Sequence, residues 1–494
     1  MSVLWDALNN IDKITIALLI LSLSIALFYE MINGFHDTAN AVAMIIYTNS
    51  MKAGYSVIMA GIMNFLGVLL GGIGVAYVIV HLLPLDIMVS SNQSATLVMI
   101  FSLLISAVIW NLGTWYFGLP VSSSHSLIGS IIGVSIAFGM LNGFTFSQSV
   151  NWKVVYGILT VLALSPLLGF GFAFLLMKVS RKTIKHPKFY KTPVIGDKKK
   201  KPNFWMRTGI ILTGAGVSFA HGSNDGQKGI GLIMIILIGI LPTYYALNME
   251  AHQYKIMQTR DSAANLSKFY ADNKDTITNF IEKKQLTSAL KIENKIAECN
   301  INKVHNTTLE ISNKLDGLKS YSELSKIDRW KIHTAVLCSD NFFGQVERAY
   351  KSIDNDKSNY ISDQRKQLIT STEYVPFWVI FAVALMLGIG TMIGYKRVVH
   401  TIGEKIGSKP INHMQGAVAQ AMAMITILLA NFAHAPVSTT HIVSSSVAGT
   451  MVAEPEGGVQ KKTINTILIA WAITLPVTSL MGAGIYIVLN YFMS

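Results

Sequence analysis

Apolar stretches long enough to cross a lipid bilayer recur from end to end of this chain, at 14–29, 56–80, 95–117, 154–177, 232–247, 374–394, 414–433 and 464–490. A spanning helix needs about 20 apolar residues. In hydrocarbon every backbone N–H and C=O must find its partner within the protein, which leaves helices or closed barrels. A barrel would show short alternating segments, and these runs are continuous. A composition that is 51% hydrophobic and 14% charged excludes an ordinary soluble domain. The first run lacks a basic leader, so no cleavable signal peptide is expected. The expectation is an integral, polytopic α-helical protein in contact with membrane lipid.

The net charge of +13 is not spread evenly. Lys178, Arg181, Lys182, Lys185, Lys188, Lys191 and Lys198 to Lys201 crowd one stretch against a single acid, Asp197. Between apolar runs this pattern marks a cytoplasmic loop, so no nucleic-acid partner is inferred. Residues 248–372 differ again: they hold 19 of the 40 basic and 16 of the 27 acidic residues. They read as a soluble helical insertion. Both cysteines, Cys299 and Cys338, lie within it. An isolated pair there suggests a disulfide and an oxidising compartment, the periplasm.

Two polar segments interrupt the apolar sequence, and they resemble each other. "NGFHDTANAVA" at 33–43 and "HGSNDGQKGIG" at 221–231 share Gly-x-x-Asp, ending on Asp37 and Asp225. Two more segments also pair: "LPVSSSHSLIG" at 119–129 and "APVSTTHIVSS" at 435–445. Asp37 to Pro120 spans 83 residues and Asp225 to Pro436 spans 211; the excess of 128 is close to the length of the insertion. The chain therefore reads as an internal duplication. Its expected parts are a first membrane repeat (1–177), a basic cytoplasmic linker (178–206), the start of the second repeat (207–247), the insertion (248–372) and the rest of the second repeat (373–494). Each repeat has about five apolar elements, an odd number, so the second should run opposite to the first. Placing 178–206, 395–413, 453–462 and Lys52 inside, with 81–94 and the insertion outside, satisfies both charge and cysteines. The fold class expected is an all-α polytopic membrane protein of two inverted repeats, with broken helices and re-entrant hairpins. That is the architecture of secondary transporters, whose binding site lies where the broken elements meet.

The motif residues suggest what such a site holds. Proline followed by hydroxyl residues suits a helix N-terminus, whose unpaired donors and partial positive charge suit an oxyanion. Ser122, Ser123 and Ser124, with Ser438, Thr439 and Thr440, are the candidate anion ligands. Asp37 and Asp225 repel an anion, and a carboxylate inside a membrane is a functional candidate by default. They make sense if a cation travels with the anion. Asn40 and Asn224 offer amide groups to either. Glu30, one helical turn before the first motif, is a candidate proton relay or structural partner. His36 aligns with Asn224, and Lys228 with Asn40. An ammonium disfavours a nearby alkali cation and pairs with Asp225 or with the substrate, while histidine titrates near neutral pH. Both favour protons as the coupling ion. His125 and His441 follow the hydroxyls as supporting residues.

These residues resemble the inorganic phosphate transporter family of the Pit type, whose two signature copies read approximately Gly-Ala-Asn-Asp-Val-Ala-Asn-Ala. The paired Pro-Val-Ser-(Ser/Thr)-(Ser/Thr)-His segments match as well, and the likeness is strongest to bacterial low-affinity permeases. The resemblance implies import of inorganic phosphate by proton symport, alone or as a neutral complex with a divalent metal. It also implies a homodimer in the bacterial inner membrane, with no cofactor. Sodium-driven relatives keep asparagine where this chain has His36 and Lys228. Sodium-coupled or sulfate transport are the alternatives, though fully deprotonated sulfate cannot donate a hydrogen bond to a carboxylate. An ion channel is a remote one. No P-loop, HExxH or Cys/His metal site appears, so an enzyme is not expected, and "GIGTMIG" at 388–394 reads as helix packing.

Overall fold

The computed structural model describes residues 2–83, 93–195, 198–199, 201–282, 292–294, 297–299, 304–393, 399, 401–455 and 457–493. The chain divides into two compact units. One comprises residues 20–84, 97–235 and 376–494; the other comprises 1–19, 85–96 and 236–375.

The first unit is built by apolar helices: α1 (Lys13–Tyr47), α2 (Ala53–Leu70), α3 (Gly74–Val80), α4 (Gln93–Tyr116), α5 (Ser123–Leu141), α6 (Trp152–Thr183), α7 (Phe204–Ile240), α8 (Phe377–Thr391), α9 (His413–Phe432), α10 (Thr439–Ala453) and α11 (Lys461–Met493). Seven helices among the described residues are long and apolar enough to cross a membrane. The strands among the described residues are two- and three-residue pairs, Val194–Ile195 with Lys198–Lys199 and Ile292–Asn294 with Ala297–Cys299. The all-α expectation holds. Leu167, Leu175 and Leu480 stay exposed on α6 and α11, as side chains facing lipid tails should.

Helix breaks fall at specific places. The Gly-x-x-Asp segments run as unbroken helix inside α1 and α7. The interruptions lie between α2 and α3, where Gly72 takes a positive φ of 82°, and before α5 and α10. The prolines of those last two segments stay outside the first helical turn. Ser122 and Ser438 are the N-caps, and Pro120 and Pro436 precede them by two residues.

Lipid supplies no hydrophobic drive between helices, so packing depends on close approach and hydroxyl bonds. The crossings are reciprocal between the halves of the chain. Gly34 of α1 lets α8 approach so closely that a Cβ would meet Leu387 O, and Gly222 of α7 does the same for Asn64 O of α2. On the other side, α5 lies against α11, where Ser479 Oγ donates to Gly129 O at 2.9 Å. Likewise α10 lies against α6, where Ser446 Oγ donates to Gly169 O at 3.2 Å. One core joins the first and last of the four motif segments, through Ala39, Val42, Val437 and Ile442, with Val217 and Ala220 of α7 just before its motif.

The second unit is polar and helical, with helices Gln253–Asp272, Lys274–Glu282, Val304–Leu315, Lys326–Tyr350 and Asn355–Leu368. Side chains start them: Ser325 accepts from Asp328 N, and Asp354 accepts from Lys357 N. Ile256, Leu266, Phe269, Ile311, Phe342, Phe343 and Ile361 form its own core. Cys338 is buried there and disulfide-bonded. Cys299 lies in the strand Ala297–Cys299, and its side chain is outside the described ones. Lys396 and Arg397, used in the charge argument, also lie outside the described residues, as do the side chains of Lys198 and Lys199.

Candidate functional site

Asp37 sits in the C-terminal half of α1 and Asp225 just past the middle of α7, and both are buried. Asp37 Oδ1 accepts from Thr440 Oγ1 at 2.6 Å and from Asn40 Nδ2 at 3.1 Å. Its Oδ2 lies 3.4 Å from Ser123 Oγ and 3.4 Å from Thr439 Oγ1. Asp225 Oδ1 accepts from Lys228 Nζ at 2.6 Å, one helical turn along. Its Oδ2 lies 3.4 Å from the same Ser123 hydroxyl. Ser123 thus stands between the two carboxylates.

The half-helices α5 and α10 deliver these hydroxyls by the same device. Ser122 has φ −97° and ψ 117°, and Ser438 has φ −96° and ψ 106°. Each caps its helix by accepting from the N–H three residues on, His125 N and His441 N, both at 3.2 Å. The cap serves one of the first-turn N–H groups that have no intrahelical acceptor. Ser123, Ser124, Thr439 and Thr440 follow in the first turn and reach the aspartates and Lys228.

Lys228 is the hub on the α7 side. Its Nζ donates to Asp225, to Ser124 Oγ at 2.5 Å and to Val437 O at 2.6 Å. Its three ammonium protons are all used. The lysine ties the α5 and α10 entry segments to α7 in one step.

The structure also sorts the remaining candidates. Asn224 does not face the aspartates; it bonds Asn431, Ala435 O and Val437 N, bracing the chain around Pro436. His36 Nδ1 lies 3.5 Å from Asp37 Oδ1. His125 and His441 face each other with ring centroids 4.7 Å apart, and His441 stacks on Trp471 at 3.8 Å. They sit behind the hydroxyls as packed rings. Glu30 is fully buried, and neither of its oxygens has a hydrogen-bond partner.

One residue of the site escaped the sequence reading. His221 Nε2 lies 3.4 Å from Asp37 Oδ2 and 3.5 Å from Asp225 Oδ2, bridging the two carboxylates. Its Nδ1 is 2.9 Å from Asn64 Oδ1, and Asn64 Nδ2 donates to Thr391 Oγ1 at 2.7 Å. Thr391 in turn donates to Leu387 O, so the amide oxygen of Asn64 is the atom left to receive His221 Nδ1–H. The signal was present: His221 opens the second motif four residues before Asp225, on the same helix face. Asp37, His221 and Asp225 place one ligand atom each within 4.8 Å of one another, a spacing that fits a metal ion.

The site therefore joins two ionisable carboxylates, one lysine, two histidines and four hydroxyls at helix starts, all from the two repeated motif pairs. The chain matches the phosphate transporter family over residues 33–482. It belongs to that family. Among similar proteins, the low-affinity inorganic phosphate transporter PitA of Escherichia coli K12 is 44% identical over 97% of each chain. PitB of the same strain is 42% identical over 97% of each chain. The low-affinity inorganic phosphate transporter of Buchnera aphidicola from Acyrthosiphon pisum is 42% identical over 95% of this chain and 96% of its own. A solved structure described as the sodium-dependent phosphate transporter shares the fold with a TM-score of 0.54 and 19% identity, covering 96% of this chain and 99% of that one. In this family member the helical membrane architecture is thus matched along nearly the full length.

Proposed function

We propose that this phosphate transporter family member imports inorganic phosphate by proton symport across the bacterial inner membrane. One observation carries the reading: the donors that suit an oxyanion are the same donors that serve Asp37 and Asp225. Ser123, Thr439, Thr440 and Lys228 all contact these carboxylates. Phosphate that takes those donors draws off part of the carboxylates' compensation and adds its own negative charge to a low-dielectric interior, where uncompensated charge is heavily penalised. A cation must then enter with it. Lys228 already puts positive charge beside Asp225, which disfavours an alkali ion and favours a proton. The cluster of Asp37, His221 and Asp225 also suits the metal of a metal–phosphate complex, which would then be cargo. Opposed repeats rocking about this site supply alternating access, with the basic linker inside and the polar insertion outside.

The test is phosphate uptake by the purified protein in vesicles, with proton, sodium and magnesium gradients applied separately. Uptake should follow the proton gradient, and Asp37→Asn or Asp225→Asn should abolish it while leaving membrane insertion intact. Uptake driven by sodium with no proton movement would overturn the coupling. Strong competition by sulfate would overturn the selectivity.

A further inference from the structure

Among the described residues, three carboxyl groups, of Glu30, Asp37 and Asp225, are fully buried in the apolar unit, and they are not equivalent. Asp37 has Thr440 and Asn40 as close donors, with Ser123, Thr439, His36 and His221 beside it. Asp225 has Lys228, Ser123 and His221. Glu30 is as deeply buried as either, yet neither of its oxygens has a hydrogen bond of good geometry, the Asn33 amide lying near it without completing one. An ionised carboxylate without donors is the costliest group to hold in such an interior. The neutral acid is not: it needs one acceptor for its O–H, and Asn33 Oδ1, a buried amide oxygen one helical turn along α1, has no donor of its own.

The space around Glu30 has the same sense. Its carboxyl group packs against Gly229 of α7 so closely that a Cβ at that position would collide with it. Gly229 adjoins Lys228, so Glu30 lies against the part of α7 that also presents the lysine. The charged groups acting on Glu30 are Asp225, His221 and Lys228, all from α7. The preceding residue, Tyr29, donates to Ser123 O at 3.1 Å and so ties this stretch of α1 to the start of α5.

We propose that Glu30 is the residue that binds and releases the coupling proton, while Asp37 and Asp225 remain ionised as fixed counter-charges. The proposal rests on the proton-symport reading and adds the identity of the carrier. A proton from water on the outer side adds to the Glu30 carboxylate, giving the acid as phosphate binds. It leaves to water on the inner side as phosphate departs, restoring the carboxylate. No other bond forms or breaks. The aspartates are unsuited to this part, because protonating either discards donors it already has, and Asp37 keeps Asn40, His36 and His221 even when phosphate takes the hydroxyls.

The experiment uses the full chain reconstituted in liposomes, with labelled phosphate and an internal pH dye. In the wild type, a gradient of about one pH unit should support about tenfold accumulation per coupled proton, with protons moving alongside phosphate. Glu30→Gln should retain phosphate exchange between equal concentrations on both sides, yet lose both the accumulation and the proton movement. Glu30→Asp should keep coupling with a displaced pH profile. Infrared difference spectra between high and low pH should show a protonated-carboxyl band that Glu30→Gln removes, a readout that a purely structural role does not produce. Accumulation by Glu30→Gln with an unchanged proton-to-phosphate ratio, or persistence of the infrared band in that variant, would overturn the assignment and leave proton symport standing. A wild type that moves no protons would overturn both.

Discussion

Lys228 Nζ lies 2.6 Å from Asp225 Oδ1, one helical turn along α7, with both side chains buried. In water such a pair contributes little. Here its importance lies in what remains when one partner goes. Removing the cation from a buried pair costs about 3–5 kcal/mol, because the other charge is left uncompensated. Lys228→Met should therefore lower the melting temperature of the purified protein markedly. The double variant Lys228→Met, Asp225→Asn should recover much of that loss while transporting no phosphate. A double variant as unstable as the single one would show that the lysine matters through Ser124 and Val437 and not through the carboxylate.

Sequence periodicity placed most of the helices to within a few residues, because a bilayer demands continuous apolar length and the motifs interrupt it visibly. The range 154–177 falls within α6 and 414–433 became α9. Two things were not legible. The breaks were, because a proline before a cap and a proline in a first turn read alike, and the difference depends on which hydroxyl turns back to the helix. Ser122 and Ser438 are candidate anion ligands by sequence, and in the structure their oxygens accept from His125 N and His441 N, a capping role that leaves the hydroxyl protons to donate. The other was what orients His221: its spacing from Asp225 is a local signal, but its Nδ1 partner depends on α2 passing close enough to present Asn64, a contact between distant segments that no local pattern encodes.

That close passage makes a second prediction. Gly34 and Gly222 occupy the same place in the two motifs, and each admits a crossing helix against its backbone. Gly34→Ala and Gly222→Ala should each destabilise the protein by about 1–3 kcal/mol through overpacking, or force the helices apart and abolish transport. Gly157→Ala and Gly171→Ala, where a Cβ meets nothing within 4 Å, should be close to neutral. Thermal melting in detergent distinguishes them. Equal effects at all four positions would mean that helix propensity, not close approach, governs these glycines.

Glu373 carries a third, in the polar unit. Burial pushes its carboxyl up to about 7, with Asp340 adding to the rise and Arg365 opposing it. In the unfolded chain the group titrates near 4.5. Between these values the folded form binds the proton that the unfolded form has lost, so stability falls as pH rises through this window, by up to about 3 kcal/mol. Limited proteolysis of the insertion should therefore be faster at pH 8 than at pH 5. Glu373→Gln should flatten the difference by protecting the insertion at the higher pH. A pH dependence unchanged by Glu373→Gln would assign it to another group.

The caps and the ligands on α5 and α10 separate in a fourth. Ser122 and Ser123 are adjacent, yet one hydroxyl accepts from the helix and the other reaches both carboxylates. Ser122→Ala removes an N-cap and should cost about 1 kcal/mol of stability, with transport reduced in proportion to the folded protein present. Ser123→Ala removes a donor that the site shares between Asp37, Asp225 and the incoming oxyanion. A hydrogen bond to a charged group contributes about 1.5–3 kcal/mol, so kcat/KM for phosphate should fall by roughly tenfold or more while the melting temperature moves little. Ser438→Ala should follow Ser122→Ala, and Thr440→Val should lose transport as Ser123→Ala does while also lowering the melting temperature, because Thr440 donates to the buried Asp37 at 2.6 Å. Melting curves and initial uptake rates on the same four preparations test the pattern. If the cap variants lose transport as fully as the ligand variants, with intact folding, then Ser122 and Ser438 also hold phosphate, donating their hydroxyl protons to it while their oxygens keep the caps.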